Sequence, residues 1–144
     1  MSEEMNVERV VKLLGTALSL QVSSPLQYLL FSASMSGFEV QAVAAKLWQF
    51  AGAELEDTRR LVEKITALGG DPSIDEAPLR WAKTPEKAVD LLIETETRTV
   101  EALHEVIPET GQEGRSEALE HLLEHVIMRK QNQIDFLHRV RRES

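Results

Sequence analysis

Four stretches of this chain repeat apolar residues at alternating three- and four-residue intervals, and three of them interrupt the pattern near mid-length with ionisable groups. Such spacing stacks side chains along one face of a helix. One run reads Val43, Leu47, Phe50, Glu54, Asp57, Leu61 and Leu68. A second reads Val89, Leu92, Glu96, Thr99, Leu103 and Val106, and a third Leu119, Leu123, Val126, Lys130, Gln133, Leu137 and Val140. The first run along the chain, Leu14, Leu18, Gln21 and Tyr28, offers Gln21 as its nearest polar contribution. Ionised groups are almost never fully buried without a partner, so these insertions must meet one another inside the fold. The expected architecture is all-α: an antiparallel four-helix bundle with one internal polar tier of Gln21, Glu54, Asp57, Glu96, Lys130 and Gln133.

Composition agrees with helices. Aromatic residues make up 5%, and 7 Gly and 5 Pro in 144 residues leave little turn chemistry for a sheet protein. The length suits one domain, residues 1–144, with a continuous core. Cysteine is absent, which excludes disulfides, thiolate metal sites and cysteine nucleophiles and agrees with a reducing cytoplasm. A formal charge of -8 repels phosphate backbones, so no nucleic-acid partner is expected. The one dense basic cluster, Arg139, Arg141 and Arg142, reads as cations meeting the negative end of the last helix. The start, Met1-Ser2-Glu3-Glu4, is acidic, and no stretch is apolar for long enough to cross a bilayer. A soluble cytoplasmic protein without a membrane partner is the expectation.

Punctuation divides the chain into four helices. The first runs from about Val7 to Met35 and stops at Ser36-Gly37. The second runs from about Glu39 to Leu68 and stops at Gly69-Gly70-Asp71-Pro72. Thr84-Pro85-Glu86-Lys87 opens the third, with Thr84 as N-cap, and Pro108 ends it after Ile107. Gly111 and Gly114 mark a loop, and Ser116 is placed as the cap of a fourth helix reaching about Arg141. Short turns make the first pair and the last pair antiparallel. The Gly69–Thr84 connection is long enough to run back along the bundle and leave helices two and three parallel. Inside helix one, Ser24-Pro25 predicts a kink or a break. Leu26, Tyr28, Leu29, Leu30 and Phe31 are then apolar around most of the circumference. With Trp48, flanked by Ala44, Ala45, Ala51 and Gly52, they predict a homo-oligomer, at least a dimer, with any other protein partner unknown.

The ordered set Lys12-Leu13-Leu14-Gly15, Gln27-Tyr28, Glu54-Leu55-Glu56-Asp57 through Arg60, Leu61, Glu63, Lys64, Leu68 and Pro72, Asp90 through Glu96, and Gln133-Ile134-Asp135-Phe136-Leu137 resembles the ferritin-like superfamily, in its bacterioferritin and miniferritin branch. That resemblance implies a bundle with a long crossover between helices two and three, and iron binding or homeostasis. It also implies two irons held by a glutamate from each of two helices and a Glu-x-x-His pair from each of the others. Glu54 matches the first such glutamate, but Asp57 stands where histidine belongs. Glu96, or else Glu94, matches the lone glutamate of helix three. On helix four the pair has become Lys130-x-x-Gln133. On helix one the glutamate position falls on Gln21 if Gln27-Tyr28 is aligned, or on Ala17 if Gly15 is aligned. Leu55 stands where a haem-ligating methionine would, so no haem is expected. Ser144 follows helix four directly, without the fifth helix of the larger cages, and this favours a dimer over a shell.

Two hard cations need several oxygen ligands, and an ammonium among those ligands repels them. One reading therefore puts Lys130 in the space of the cations, paired with Glu54 and Glu96 and supported by Gln21 and Gln133. This degenerate di-iron site would have no cofactor and no ferroxidase activity. The other notes that Glu54, Asp57 and Glu96 outnumber one lysine, so either a carboxylate stays protonated or iron, or another single divalent metal, joins the three. In functional terms, these are a non-catalytic dimeric structural or interaction module and an iron-handling protein. His121 and His125 lie one turn apart beside Glu117 and Glu124, a spacing able to chelate a transition metal, but next to the core stripe rather than on it. They read as a solvated pair, with His104 and His138 also at the surface.

Overall fold

A computed structural model describes residues 4–72 and 78–142. The first three residues, Met1-Ser2-Glu3, the crossover residues 73–77 and the closing Glu143-Ser144 lie outside the described residues. The helices are α1 (Val7–Gln21), α2 (Ser24–Ser34), α3 (Gln41–Ala67), α4 (Pro85–Val106) and α5 (Gly114–Arg142). Short 3-10 turns stand at Phe38–Val40 and Ile107–Glu109, and the described residues contain no strand. Helices α1 and α2 are successive pieces of one column, so the bundle has four columns.

The predicted disturbance at Pro25 is a break. Val22 N–H still donates to Leu18 O, after which a new helix starts and Gln27 N–H donates to Ser23 O, both at 2.9 Å. Pro25 falls in the first turn of α2, where a backbone N–H would have no helical partner anyway, so the ring costs little there. At the other starts, Asn6 and Thr84 accept from Arg9 N–H (3.1 Å) and Lys87 N–H (3.2 Å). Helix α3 stops at Gly69, whose φ of 85° only glycine adopts cheaply. The start of α5 differs from the sequence expectation. It begins at Gly114, and Ser116 lies inside it, donating to Thr110 O and accepting from Glu113 N–H. The hydroxyl ties down the preceding turn, a contact with a residue six positions back that no capping pattern signals.

Two apolar clusters fix the directions of the columns. One gathers Val10, Leu14 and Leu18 with Leu61, Ile65, Leu103, Val106, Leu119 and Leu123. The other gathers Tyr28 and Phe31 with Leu47, Ala51, Val89, Leu92 and Leu137. Early residues of α1 and α5 thus meet late residues of α3 and α4, so α3 and α4 run parallel and the crossover returns the length of the bundle. Burying each large aliphatic side chain is worth about 1.5–3 kcal/mol, and these clusters supply most of the driving force. The returning crossover is tied to the break: Gln27 Nε2 donates to Arg80 O at 2.7 Å while Arg80 N–H donates to Gln27 Oε1 at 2.9 Å. No helix among the described residues is long and apolar enough to cross a membrane.

Candidate functional site

Between the two clusters lies a polar tier to which every column contributes. Lys130 of α5 has no solvent exposure, and its Nζ lies 2.6 Å from Glu54 Oε2 and 3.0 Å from Glu96 Oε1. Gln133, one turn on, donates through Nε2 to Glu54 Oε1 at 2.7 Å and Glu96 Oε2 at 3.0 Å. Glu54 and Glu96 are therefore bridged twice, once by an ammonium and once by an amide. Gln21 at the end of α1 donates to Glu54 Oε2 at 2.6 Å and to Glu54 O at 3.1 Å. Its Oε1 is buried and has no hydrogen-bond partner among the described residues.

The alternatives left open by the sequence separate here. Glu96 is buried, whereas Glu94 is exposed and lies 3.6 Å from Arg80. Gln21 enters the tier, and Ala17 packs in the apolar cluster below it. Asp57 is buried but faces a different cation, the guanidinium of Arg129, which meets Asp57 Oδ2 and lies 3.7 Å from Glu54 Oε1. Arg129 was not on the predicted stripe. It flanks Lys130 at the edge of the core, with a quarter of its side chain exposed, and its long stem lets the charged head reach back inward. The one available signal was arithmetic: an inward Asp57 with no assigned cation calls for a second one.

Two hydroxyls were also invisible to the periodicity. Ser24 Oγ donates to Glu96 Oε1 at 2.8 Å from the first turn of α2, a position created by the break. Thr58 Oγ1 donates to Glu54 O at 2.9 Å and accepts from Gln21 Nε2 at 3.3 Å. Tyr28 closes the upper side, its hydroxyl 3.4 Å from Gln133 Nε2.

Electrostatics separates the two glutamates. Burial pushes the Glu54 carboxyl up, but the Lys130 ammonium and the Arg129 guanidinium outweigh it and lower its pKa to about 2. Burial and then the Glu54 charge raise Glu96 to about 7, against the pull of Lys130. Burial also raises Asp57 despite Arg129. Burial alone would lower Lys130; Glu54 and Glu96 more than offset it, and the amine is held charged. Tyr28 stays neutral, raised well above its usual value by burial and by Glu96. Three carboxyl groups thus meet two cations, and Glu96, with its pKa raised, is the carboxyl of the tier that most readily takes up a balancing proton.

Among the described residues, no group of three or more His, Asp or Glu side chains could hold a metal ion. His121 and His125 are exposed, as are His104 and His138.

A family model described as a ferritin-like domain matches residues 11–143. The chain belongs to the ferritin-like family. Among solved structures, this ferritin-like chain is similar to a ferritin-like, diiron-carboxylate protein from Bacillus anthracis, at 21% identity and a TM-score of 0.83 over 98% of this chain and 99% of the other. It is also similar to the Rhodobacter capsulatus bacterioferritin, described with a metal-free dinuclear site and haem iron, at 18% identity and a TM-score of 0.82 over 93% of this chain and 84% of that one. At these identities the likeness establishes a shared fold, the four-helix bundle. No curated protein matches the sequence.

Proposed function

We propose that this chain is a single-domain relative of the iron-handling ferritin-like proteins in which a buried lysine-carboxylate network has replaced the di-iron ferroxidase centre. Its role is then that of a homo-oligomeric structural or interaction protein without metal-dependent oxidation. The observation that carries this reading is the position of Lys130 Nζ, within 3.0 Å of oxygens from both Glu54 and Glu96. Two carboxylates that could bridge cations already share an ammonium. A divalent ion placed between them would meet a fixed positive charge instead of an oxygen donor. Around the same carboxylates, Gln21 and Gln133 present N–H groups, which donate to carboxylates and do not ligate metal. Asp57, where the family pattern has histidine, is engaged by Arg129. This donor set does not fit a pair of irons.

The excess of three carboxyl groups over two cations favours one second reading, a single divalent ion taking the place of the proton on Glu96. Titration calorimetry of the metal-stripped protein with ferrous iron and with zinc separates the two. No stoichiometric heat is expected; one ion per chain, abolished by E54Q with E96Q, would establish the single-metal reading and remove the first.

A homodimer, at least, is part of the proposal. Leu26 and Leu29 on α2 and Trp48 and Leu55 on α3 are exposed on adjoining helices, with Trp48 at 60%. A flank this apolar is what an obligate contact between copies would cover. The cytoplasmic setting drawn from composition belongs to the same proposal. Light scattering with elemental analysis on one native sample would give subunit count and metal per chain together; a metal-loaded shell would refute the reading.

A further inference from the structure

Where the first column breaks, the crossover lies against it and encloses a pocket of about 210 Å³. Ser23 and Gln27 line it from the break, Arg80 from the crossover, and Thr95 and Arg98 from α4. Arg80 is held from both ends. Its backbone exchanges two hydrogen bonds with the Gln27 amide, and its Nη2 donates to Thr95 Oγ1 at 3.3 Å. The Thr95 hydroxyl donates its own proton to Leu91 O at 2.8 Å, so its oxygen meets the guanidinium as an acceptor. Arg98 is different: among the described residues it makes no hydrogen bond and pairs with no carboxylate. Glu94, the acid one turn before it, lies 3.6 Å from Arg80 instead, in an exposed pair of the kind that contributes little. Two arginines thus share a pocket with one solvated carboxylate at its rim, in a chain whose formal charge is -8. A concavity of this sign concentrates anions.

We propose that this pocket binds a small oxyanion, a free phosphate or the phosphoryl group of a phosphate monoester. A guanidinium carries five N–H donors in a planar fork that matches two oxygens of such an anion. Arg80 gives one donor to Thr95 and keeps others free for a ligand. The two arginines stand on different elements and approach from different sides, which suits a tetrahedral oxyanion; a planar carboxylate fills one fork. Ser23, whose hydroxyl makes only a 3.4 Å contact with Leu20 O, can turn to add a further donor. Leu20 also lines the pocket, and its apolar surface reduces screening of the charges by water. An anion shared by Arg80 and Arg98 ties the crossover to α4, a link that the exposed Glu94 pair makes only weakly. The site lies outside the polar tier and does not depend on what Glu54 and Glu96 hold.

Titration calorimetry of the full chain at low ionic strength tests this, with inorganic phosphate and glycerol phosphate as separate titrants and sodium chloride at matched ionic strength as the control. One anion per chain is expected, with a melting temperature that rises as the anion is added. Whichever titrant binds more tightly identifies the source of the phosphoryl group. Arg98 is exposed and unpaired among the described residues, so R98Q should fold and melt like the parent without the anion. Its affinity for the anion should fall about 10-fold or more. E94Q removes the competing carboxylate and should bind more tightly than the parent. Heats no larger than those of chloride for both titrants overturn the proposal, as does equal affinity in the parent and R98Q.

Discussion

Lys130 on α5 and Glu96 on α4 meet at 3.0 Å with neither side chain reaching water. The same amine holds Glu54 on α3 at 2.6 Å, so one residue ties three helices together at mid-bundle. Removing one partner of a buried ion pair leaves the other uncompensated, which costs far more than the net worth of the pair.

Lys130→Met keeps most of the side-chain volume and removes the charge. A loss of about 3–5 kcal/mol in unfolding free energy is expected, read from urea or guanidinium transitions at pH 7.5. Melting indistinguishable from the parent would mean that the ammonium does not neutralise the carboxyl groups.

Glu96 gives the tier a pH signature. Its folded pKa, about 7, lies above the ordinary value of 4.5, so the folded state binds this proton more tightly than the unfolded chain does. Its contribution is fully present below pH 4.5 and is lost as pH rises through about 7. Glu54, lowered to about 2, acts oppositely, and its contribution is lost as pH falls from 4.5 towards 2. Glu96→Gln mimics the protonated acid. The variant should therefore gain on the parent by on the order of 1–3 kcal/mol between pH 5 and pH 8. Parallel melting-temperature profiles for the two proteins across that range would contradict the assignment of the proton.

Arg129→Ala strips the buried Asp57 of its guanidinium. The Asp57 carboxyl is already raised by burial, and without Arg129 it should rise further and take up a proton more readily. The cost should be about 1–3 kcal/mol at pH 8 and clearly smaller at pH 5. Denaturation at the two pH values checks this; an equal loss at both would point to lost packing of the arginine stem instead.

The bundle was legible because its determinants are local. Three-and-four spacing, Gly69 as a stop and Thr84-Pro85 as a start each need only a few neighbouring residues, and a long crossover leaves one sensible direction for α4. The levels of Gln21, Glu54, Glu96, Lys130 and Gln133 follow from the same periodicity. What escaped was set by contacts distant in sequence or by side-chain reach. Arg129 sits off the stripe and curls back to Asp57, 72 residues away. Ser24 faces Glu96 only because the column restarts there. Glu94 and Glu96 are two residues apart; the three-and-four spacing put Glu96 on the stripe while the resemblance left Glu94 as its alternative, and the structure turns Glu94 to the surface, 3.6 Å from Arg80.

The amine between Glu54 and Glu96 is covalently part of the polypeptide. It is delivered at one per subunit during synthesis, needs no uptake or insertion step, and a chelator has nothing to withdraw from it. On the proposed metal-free reading, maturation of this belt is finished when the last helix docks, whatever the supply of dissolved ions.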